Sequence, residues 1–326
     1  MTAKPHVYVT RHLPQAAFER LSAACRVEGW DREVPPAYDV LIEGVAGKEG
    51  LLCLLTDRID AALMDAAPDL RVISQCAVGY DNVDVAAATA RGIPVGNTPG
   101  VLTDATADFA FALLMAAARR LGEAIDFVRD GRWETWGLTL LLGQEVHGAT
   151  LGLVGLGRIG RAVARRARGF GMNVLYHDTD RRPTVEAELG IEYRALDDLL
   201  READFVSLHT SLTDESQGLI DARALGLMKP TAILINTSRG PVGDTEALYQ
   251  ALNEGQIAYA ALDVTDPEPL PADHKLLTLP NVLVAPHIAS ATVTSRTAMA
   301  HMAVDNLLAG LRGERLPHCA NPEVYG

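Results

Sequence analysis

Three side chains in the C-terminal half are of the types that reduction of a 2-keto acid would require: Arg239 in INTSRG, Glu268 in LDVTDPEP and His287 in APHIAS. Such a reduction needs a cation to hold the carboxylate, a proton donor beside the carbonyl oxygen, and a source of hydride. The planar fork of a guanidinium meets a carboxylate through two parallel hydrogen bonds. A histidine titrates near neutrality and suits the donor role, and a carboxylate partner such as Glu268 would fix its tautomer and favour its protonated form. Each residue stands just beyond an apolar run: AILIN at 232–236, AYAALDV at 258–264 and NVLVAP at 281–286. Open α/β sheets bind their ligands outside the carboxyl ends of their strands. Singly, an Arg, Glu or His in such a place is more often a cap or a surface ion pair. The three together, downstream of a nucleotide-type turn, point to a dehydrogenase.

That turn is ATLGLVGLGRIG, 149–160. Gly155, Gly157 and Gly160 form GxGxxG between a predicted strand and a predicted helix, Arg161 to Phe170. The first glycine serves a tight turn, the second lets backbone approach a pyrophosphate, and the third lets helix pack on strand, with phosphate at the helix N-terminus. Alone the pattern is weak, since many glycine-rich turns bind nothing. The next apolar run, NVLYHD, ends in Asp178, at about the 20-residue spacing expected of an acid that accepts from the ribose 2′-OH. An acid there repels a 2′-phosphate, which favours NAD(H). The bland alternative makes Asp178 the start of a surface turn, and Arg181 and Arg182 lie close enough in sequence to keep NADP(H) open. No Lys-Ser or Lys-Thr follows the glycines, so a P-loop is excluded.

The elements that must position these groups come in two alternating series. In the first hundred residues, HVYVT, GLLCLL (50–55) and RVISQC (71–76) alternate with helical patterns around 15–24 and 60–67. The turn-rich RGIPVGNTPG, 91–100, marks a domain crossing and is followed by a long helix up to Arg120. The second series holds six apolar runs from LGLV to NVLVAP, suited to parallel strands buried on both faces. A last helical pattern, about Ala291 to Leu311, has no strand to feed and is expected to return to the first domain. The expected fold is α/β, two doubly wound parallel-sheet domains. A Rossmann-type cofactor domain (102–287) is inserted into a flavodoxin-like substrate domain (1–101 and 288–326).

Composition narrows the partners. A chain of 326 residues with 48% hydrophobic and 22% charged residues is globular, and its length suits two domains. The formal net charge of −13, with no long basic run, argues against nucleic acid. The start MTAKPHVYVTRHL lacks a secretory core, and the most apolar stretch, Phe109 to Ala118, is too short to cross a bilayer. Cys25, Cys53, Cys76 and Cys319 are widely spaced, suggesting neither a metal site nor a disulfide framework but a reducing, cytoplasmic setting.

Over nearly its whole length the sequence resembles the D-isomer-specific 2-hydroxyacid dehydrogenases, nearest to the glyoxylate/hydroxypyruvate reductases. The resemblance is carried by GLLCLLTDRID, by AVGYDNVDVAAATARGIPVGNTPGVLTDATADFAFALLMAAARR, by GRWETWG, by GLGRIGRAVARRARGFGM, by INTSRG, and by LDVTDPEPLPADHKLLTLPNVLVAPHIASAT. It implies that Arg239 holds the substrate carboxylate and carbonyl, that His287 donates the proton and that Glu268 pairs with it. It further implies that the backbone N–H groups of Val78 and Gly79 bind the carboxylate, that Asp263 holds the nicotinamide carboxamide, that Arg158 and Ile159 line the pyrophosphate, and that Thr106 lies near the cofactor. Homodimerisation through the cofactor domain is implied too, with Trp136 resembling a residue that reaches the neighbouring subunit's active site.

Departures are few. Ala289-Ser290 stands where Gly-Ser or Gly-Ala is usual, and Gly243 where a branched apolar residue is usual. Animal-type NADP-using relatives lack an acid at Asp178. Phosphite dehydrogenases place a Lys where Val78 stands, and formate dehydrogenases a Gln where Glu268 stands. A bulkier keto acid stays open as substrate. Dinucleotide-sensing corepressors share the fold but carry long tails, which the short segment after the last helix does not match.

Overall fold

Residues 3–326 are described by a computed structural model in which every strand of both sheets is parallel. The chain divides into two compact units, one running up to Leu102 and resuming at Ala291–Gly326, the other spanning Thr103–Ser290.

The first unit holds β1 (His6–Val9), β2 (Arg26–Gly29), β3 (Gly50–Cys53), β4 (Val72–Gln75) and β5 (Val95–Gly96), in the order β2-β1-β3-β4-β5. This is the flavodoxin-like order. Successive side chains of a strand point to opposite faces. Accordingly Val7 and Val9 pack in one apolar cluster with Leu52, and Tyr8 in another with Leu51 and Cys53. Both faces are therefore buried, which explains the unbroken apolar runs. The helix Val293–Leu311 packs within this unit against β3, β4 and the helix Gln15–Ala24, and the Ser74 hydroxyl donates to the Ala303 carbonyl at 2.7 Å.

The second unit holds β6 (Thr150–Val154), β7 (Asn173–His177), β8 (Glu192–Tyr193), β9 (Phe205–Leu208), β10 (Ile233–Asn236), β11 (Tyr259–Leu262) and β12 (Val282–Val284). Their order, β12-β11-β10-β9-β6-β7-β8, is the Rossmann arrangement with a seventh strand. The sheet reverses direction of growth between β6 and β9. Register aligns the strand ends, pairing Asn236 with Leu208 and Leu262, and Leu262 with Val284. The loops after β10, β11 and β12 consequently leave the sheet side by side.

Several elements escape the sequence patterns. β2 reads RVEG and is mostly exposed, because an edge strand needs no continuous apolar run. β5 and β8 are two residues long, and β5 lies inside RGIPVGNTPG, so part of that turn-rich stretch completes the first sheet. The helices Tyr38–Val45, Val85–Ala90 and Leu121–Arg129 likewise match none of the patterns read from the sequence. Among the described residues, no helix is long and apolar enough to cross a membrane.

Candidate active site

The GxGxxG turn joins β6 to the helix Arg158–Gly169, and each glycine is required for a different reason. Gly155 has φ +95°, and a Cβ there would lie 2.7 Å from the His209 carbonyl carbon. A Cβ on Gly160 would lie 2.3 Å from the Gly155 carbonyl oxygen, so helix and turn touch backbone to backbone. At Gly157, the N-cap, a Cβ would meet nothing within 4 Å. Nothing in the fold demands glycine at that position, and the space above the helix N-terminus is left for a ligand. This cradle, which side chains would fill, fits a dinucleotide pyrophosphate. Arg158 and Ile159 form the first turn of the helix, and Asp178 follows β7, its carboxylate accepting the Leu156 N–H at 2.8 Å. Arg181 is held by Glu186 through two bonds of 2.9 Å, whereas Arg182 lies 3.7 Å from Asp178.

Past the ends of β10, β11 and β12 stand Arg239, Asp263, Glu268 and His287. The His287 ring pairs with Glu268 through Nδ1 and Oε1 at 2.7 Å, and the other Glu268 oxygen accepts the Thr265 N–H at 3.3 Å. Burial pushes the Glu268 carboxyl up, but the bond and charge of His287, the Thr265 N–H and the Arg239 guanidinium outweigh it and hold the group below the ordinary carboxylate range. An ionised Glu268 accepts a proton-bearing Nδ1, which leaves Nε2 as the nitrogen free to face a substrate.

His287 itself has φ +56°, a conformation costly for a residue with a Cβ. Asp263 holds it there. Its carbonyl accepts the His287 N–H at 2.8 Å, and its carboxylate accepts the N–H groups of Ile288 at 2.8 Å and Ala289 at 2.7 Å. Burial raises the Asp263 carboxyl, against the pull of those two N–H groups. The turn thus accommodates Ala289, buried, where the resemblance led one to expect glycine.

Arg239 is carried by a turn whose keystone is Asn236. The Asn236 side-chain oxygen accepts the Ser238 N–H and hydroxyl at 3.0 and 2.9 Å, and its amide donates to the Arg239 carbonyl at 2.9 Å. Gly240 follows because a Cβ there would lie 1.9 Å from the Thr265 carbonyl oxygen, so the arginine turn rests directly on the Glu268 loop. Neither Asn236 nor Thr265 stands out in the sequence; the one available signal was an Asn closing a strand ahead of a Ser-containing turn, an arrangement that favours local side-chain bonding.

Thr106 is buried near the start of the helix Thr103–Ala118. Trp136, 75% exposed, lies in the loop after the helix Leu121–Arg129. Val78 and Gly79 belong to the other unit, in the loop after β4. Among the described residues, no group of three or more His, Cys, Asp or Glu side chains is placed to hold a metal ion.

Residues 111–289 match the family model described as D-isomer specific 2-hydroxyacid dehydrogenase, NAD binding domain. The chain is 55% identical over 322 residues to a glyoxylate reductase of Korarchaeum cryptofilum, covering 98% of this chain and 97% of that one. A solved protein of Thermus thermophilus superposes with a TM-score of 0.91 at 50% identity, covering 97% of this chain and 99% of that one. The NADPH-dependent glyoxylate/hydroxypyruvate reductase of Sinorhizobium meliloti, solved with NADP and malonate, superposes with a TM-score of 0.85 at 35% identity, covering 98% of each chain.

Proposed function

From the premise that the chain belongs to the D-isomer specific 2-hydroxyacid dehydrogenases, and is therefore an oxidoreductase using a nicotinamide dinucleotide, we propose that it reduces glyoxylate and hydroxypyruvate to the corresponding 2-hydroxy acids with NADH. The observation that carries the reading is the His287–Glu268 pair at 2.7 Å, set beside the Arg239 turn at three adjacent strand ends. The dinucleotide, when bound, supplies the hydride. Arg239 binds the substrate carboxylate and carbonyl, with the Val78 and Gly79 N–H groups as further carboxylate donors. His287 gives a proton from Nε2 to the carbonyl oxygen, and Glu268 holds the ring and offsets the positive charge before transfer. Asp263 positions the histidine turn and, with a dinucleotide bound, would hold the nicotinamide carboxamide. Gly155, Gly157, Gly160, Arg158, Ile159 and Thr106 form the rest of the cofactor cradle.

The test is the initial rate of loss of 340 nm absorbance with glyoxylate, hydroxypyruvate, pyruvate and phenylpyruvate, each with NADH and NADPH. Fast reduction of the first two with NADH is expected; silence on all four with NADH still bound would overturn the reading. Preference for NADH rests on Asp178 at the end of β7 and on Arg181 being engaged by Glu186. Asp178→Ala should narrow the NADH-to-NADPH ratio of kcat/KM, since it removes repulsion of a 2′-phosphate. An unchanged ratio would remove Asp178 from the site.

Homodimerisation is part of the same reading. Exposed Leu121, Ile125, Val128, Trp133, Trp136 and Leu138 crowd into one short segment of the cofactor unit, whose helix Leu121–Arg129 buries none of its residues. So many large apolar side chains exposed within one stretch of chain suit a protein contact. Sedimentation should give twice the monomer mass, and Trp136→Ala should weaken substrate turnover more than NADH binding. A monomeric wild type at micromolar concentration would refute the assembly. Four free cysteines, two of them buried, suit a cytoplasmic setting.

A further inference from the structure

Asn97 lies outside every motif read above as catalytic or cofactor-binding, yet its side chain meets the loop that carries Val78 and Gly79. Its amide donates to the Val78 carbonyl at 2.8 Å, and the N–H of the next residue, Thr98, donates to the Ala77 carbonyl at 2.9 Å. Two consecutive carbonyls are thus drawn towards one segment, 97–98. In a planar trans peptide the N–H points opposite to the carbonyl. The N–H groups of Val78 and Gly79 are therefore both turned away from that segment, to a common side, and neither donates to an acceptor among the described residues. Successive N–H groups aimed the same way form a small anion-binding concavity.

The segment doing the holding is itself fixed from the far end of the chain. Asn306, 0% exposed on the helix Val293–Leu311, donates to the Asn97 carbonyl at 2.9 Å and accepts the His318 N–H at 3.0 Å, while the Asn97 N–H donates to the His318 carbonyl at 3.2 Å. A Cβ on Gly96 would lie 2.7 Å from the Asn306 Cβ, so the strand end and the helix meet without slack. On the other flank, Gln75 donates to the Gly79 carbonyl at 3.4 Å and to the Asn82 side chain at 2.8 Å.

We propose that Asn97 is a positioning residue for the substrate carboxylate: by pinning the Val78 carbonyl it aims the Gly79 N–H, and with Thr98 it keeps the Val78 and Gly79 N–H groups convergent. The inference rests on the carboxylate-binding role proposed above for those two groups. Hydrogen bonds weaken steeply as they bend below about 120°. Letting the 78–79 peptide swing therefore costs substrate affinity while leaving the proton donor and the cofactor cradle untouched.

The experiment compares wild type with Asn97→Ala and with the isosteric Asn97→Asp, which has no N–H to donate. Glyoxylate KM and kcat, inhibition by oxamate in the presence of NADH, NADH affinity and melting temperature are measured for each. Expected is a rise of about ten-fold, or about 1.4 kcal/mol, in glyoxylate KM and oxamate Ki together. kcat should stay within a few-fold, NADH affinity and melting temperature should not move, and Asp should not rescue. Wild-type KM and Ki in either variant would overturn the proposal, as would a parallel fall of kcat, NADH affinity and melting temperature, which marks general loosening. A wild type that neither reduces glyoxylate nor binds oxamate would overturn the functional reading itself.

Discussion

Alanine placed at Gly157 and at Gly160 should damage the protein in two different ways, although both positions belong to one motif. At Gly160 the new Cβ starts 2.3 Å from the Gly155 carbonyl oxygen, and even a tight contact of 3.0 Å requires the two backbones to part by about 0.7 Å. Such overpacking costs roughly 1–3 kcal/mol, offset by up to about 1 kcal/mol of helix propensity. For a unit of this size, each kcal/mol is worth roughly 2–4 °C of melting temperature, so Gly160→Ala should lower it by several degrees before any ligand is added. At Gly157 the backbone is extended (φ −70°, ψ −161°) and the Cβ meets nothing within 4 Å. The loss of a tolerated N-cap and the gain from a stiffer unfolded chain, each about 0.5–1 kcal/mol, nearly cancel. Gly157→Ala should leave the ligand-free melting temperature within about 2 °C of wild type. Its methyl group intrudes only when a pyrophosphate sits on the helix N-terminus, and a clash of about 1–3 kcal/mol raises the NADH dissociation constant roughly 5- to 150-fold. Differential scanning fluorimetry without cofactor and NADH fluorescence titration separate the two. Unaltered NADH affinity in Gly157→Ala would refute close approach at that residue; an unaltered melting temperature in Gly160→Ala would refute the packing.

His287→Ala should lower kcat by about two to four decades, the span for a lost general acid, with NADH titration unchanged; near-normal turnover would remove His287 from the chemistry. His209 follows β9 beneath the glycine turn, its Nε2 bonded to the Ser207 hydroxyl at 2.9 Å and its Nδ1 buried without a partner among the described residues, and burial lowers the imidazole to about 4. The fold resists protonating this ring while the unfolded chain accepts a proton below about pH 6.5. The resulting loss of stability is absent above that pH and grows to roughly 2–3 kcal/mol as the pH falls towards 4. Urea midpoints for wild type and His209→Gln between pH 7.5 and 4.5 should show a shallower decline in the variant, and parallel declines would contradict the assignment. Gly243, extended at φ −109°, lines a largely apolar cavity with Leu208, Ile220, Leu234, Leu248 and Leu262, and a Cβ there would have no neighbour nearer than 4.0 Å. Gly243→Ala should therefore stabilise the unit by about 1–2 kcal/mol, measured as a higher melting temperature; a lower one would mean the cavity cannot take a methyl group.

Much of the architecture was legible in the chain because buried parallel strands announce themselves. AILIN and AYAALDV are apolar without alternation because both faces of the sheet are covered there, NVLVAP is an equally apolar run on the half-buried edge strand β12, and the ends of all three mark where Arg239, Glu268 and His287 stand. GxGxxG was legible for a related reason, since backbone packed on backbone admits no Cβ at Gly155 or Gly160. β2, β5 and β8 were not, because a solvent-exposed edge strand such as β2 and strands of two residues lack the pattern that burial imposes.

Residue types and order along the chain thus determined the sheets and nominated the reacting groups. Tertiary structure alone decided how those groups are aimed. That His287 takes a left-handed backbone on three hydrogen bonds from its turn to Asp263, that Asn236 locks the Arg239 turn, and that Asn306 braces Asn97 from 209 residues away all depend on which side chains the fold brings together. A lone Asn or Asp after a strand reads the same whether it faces solvent or fixes a turn, and burial against a distant element separates the two.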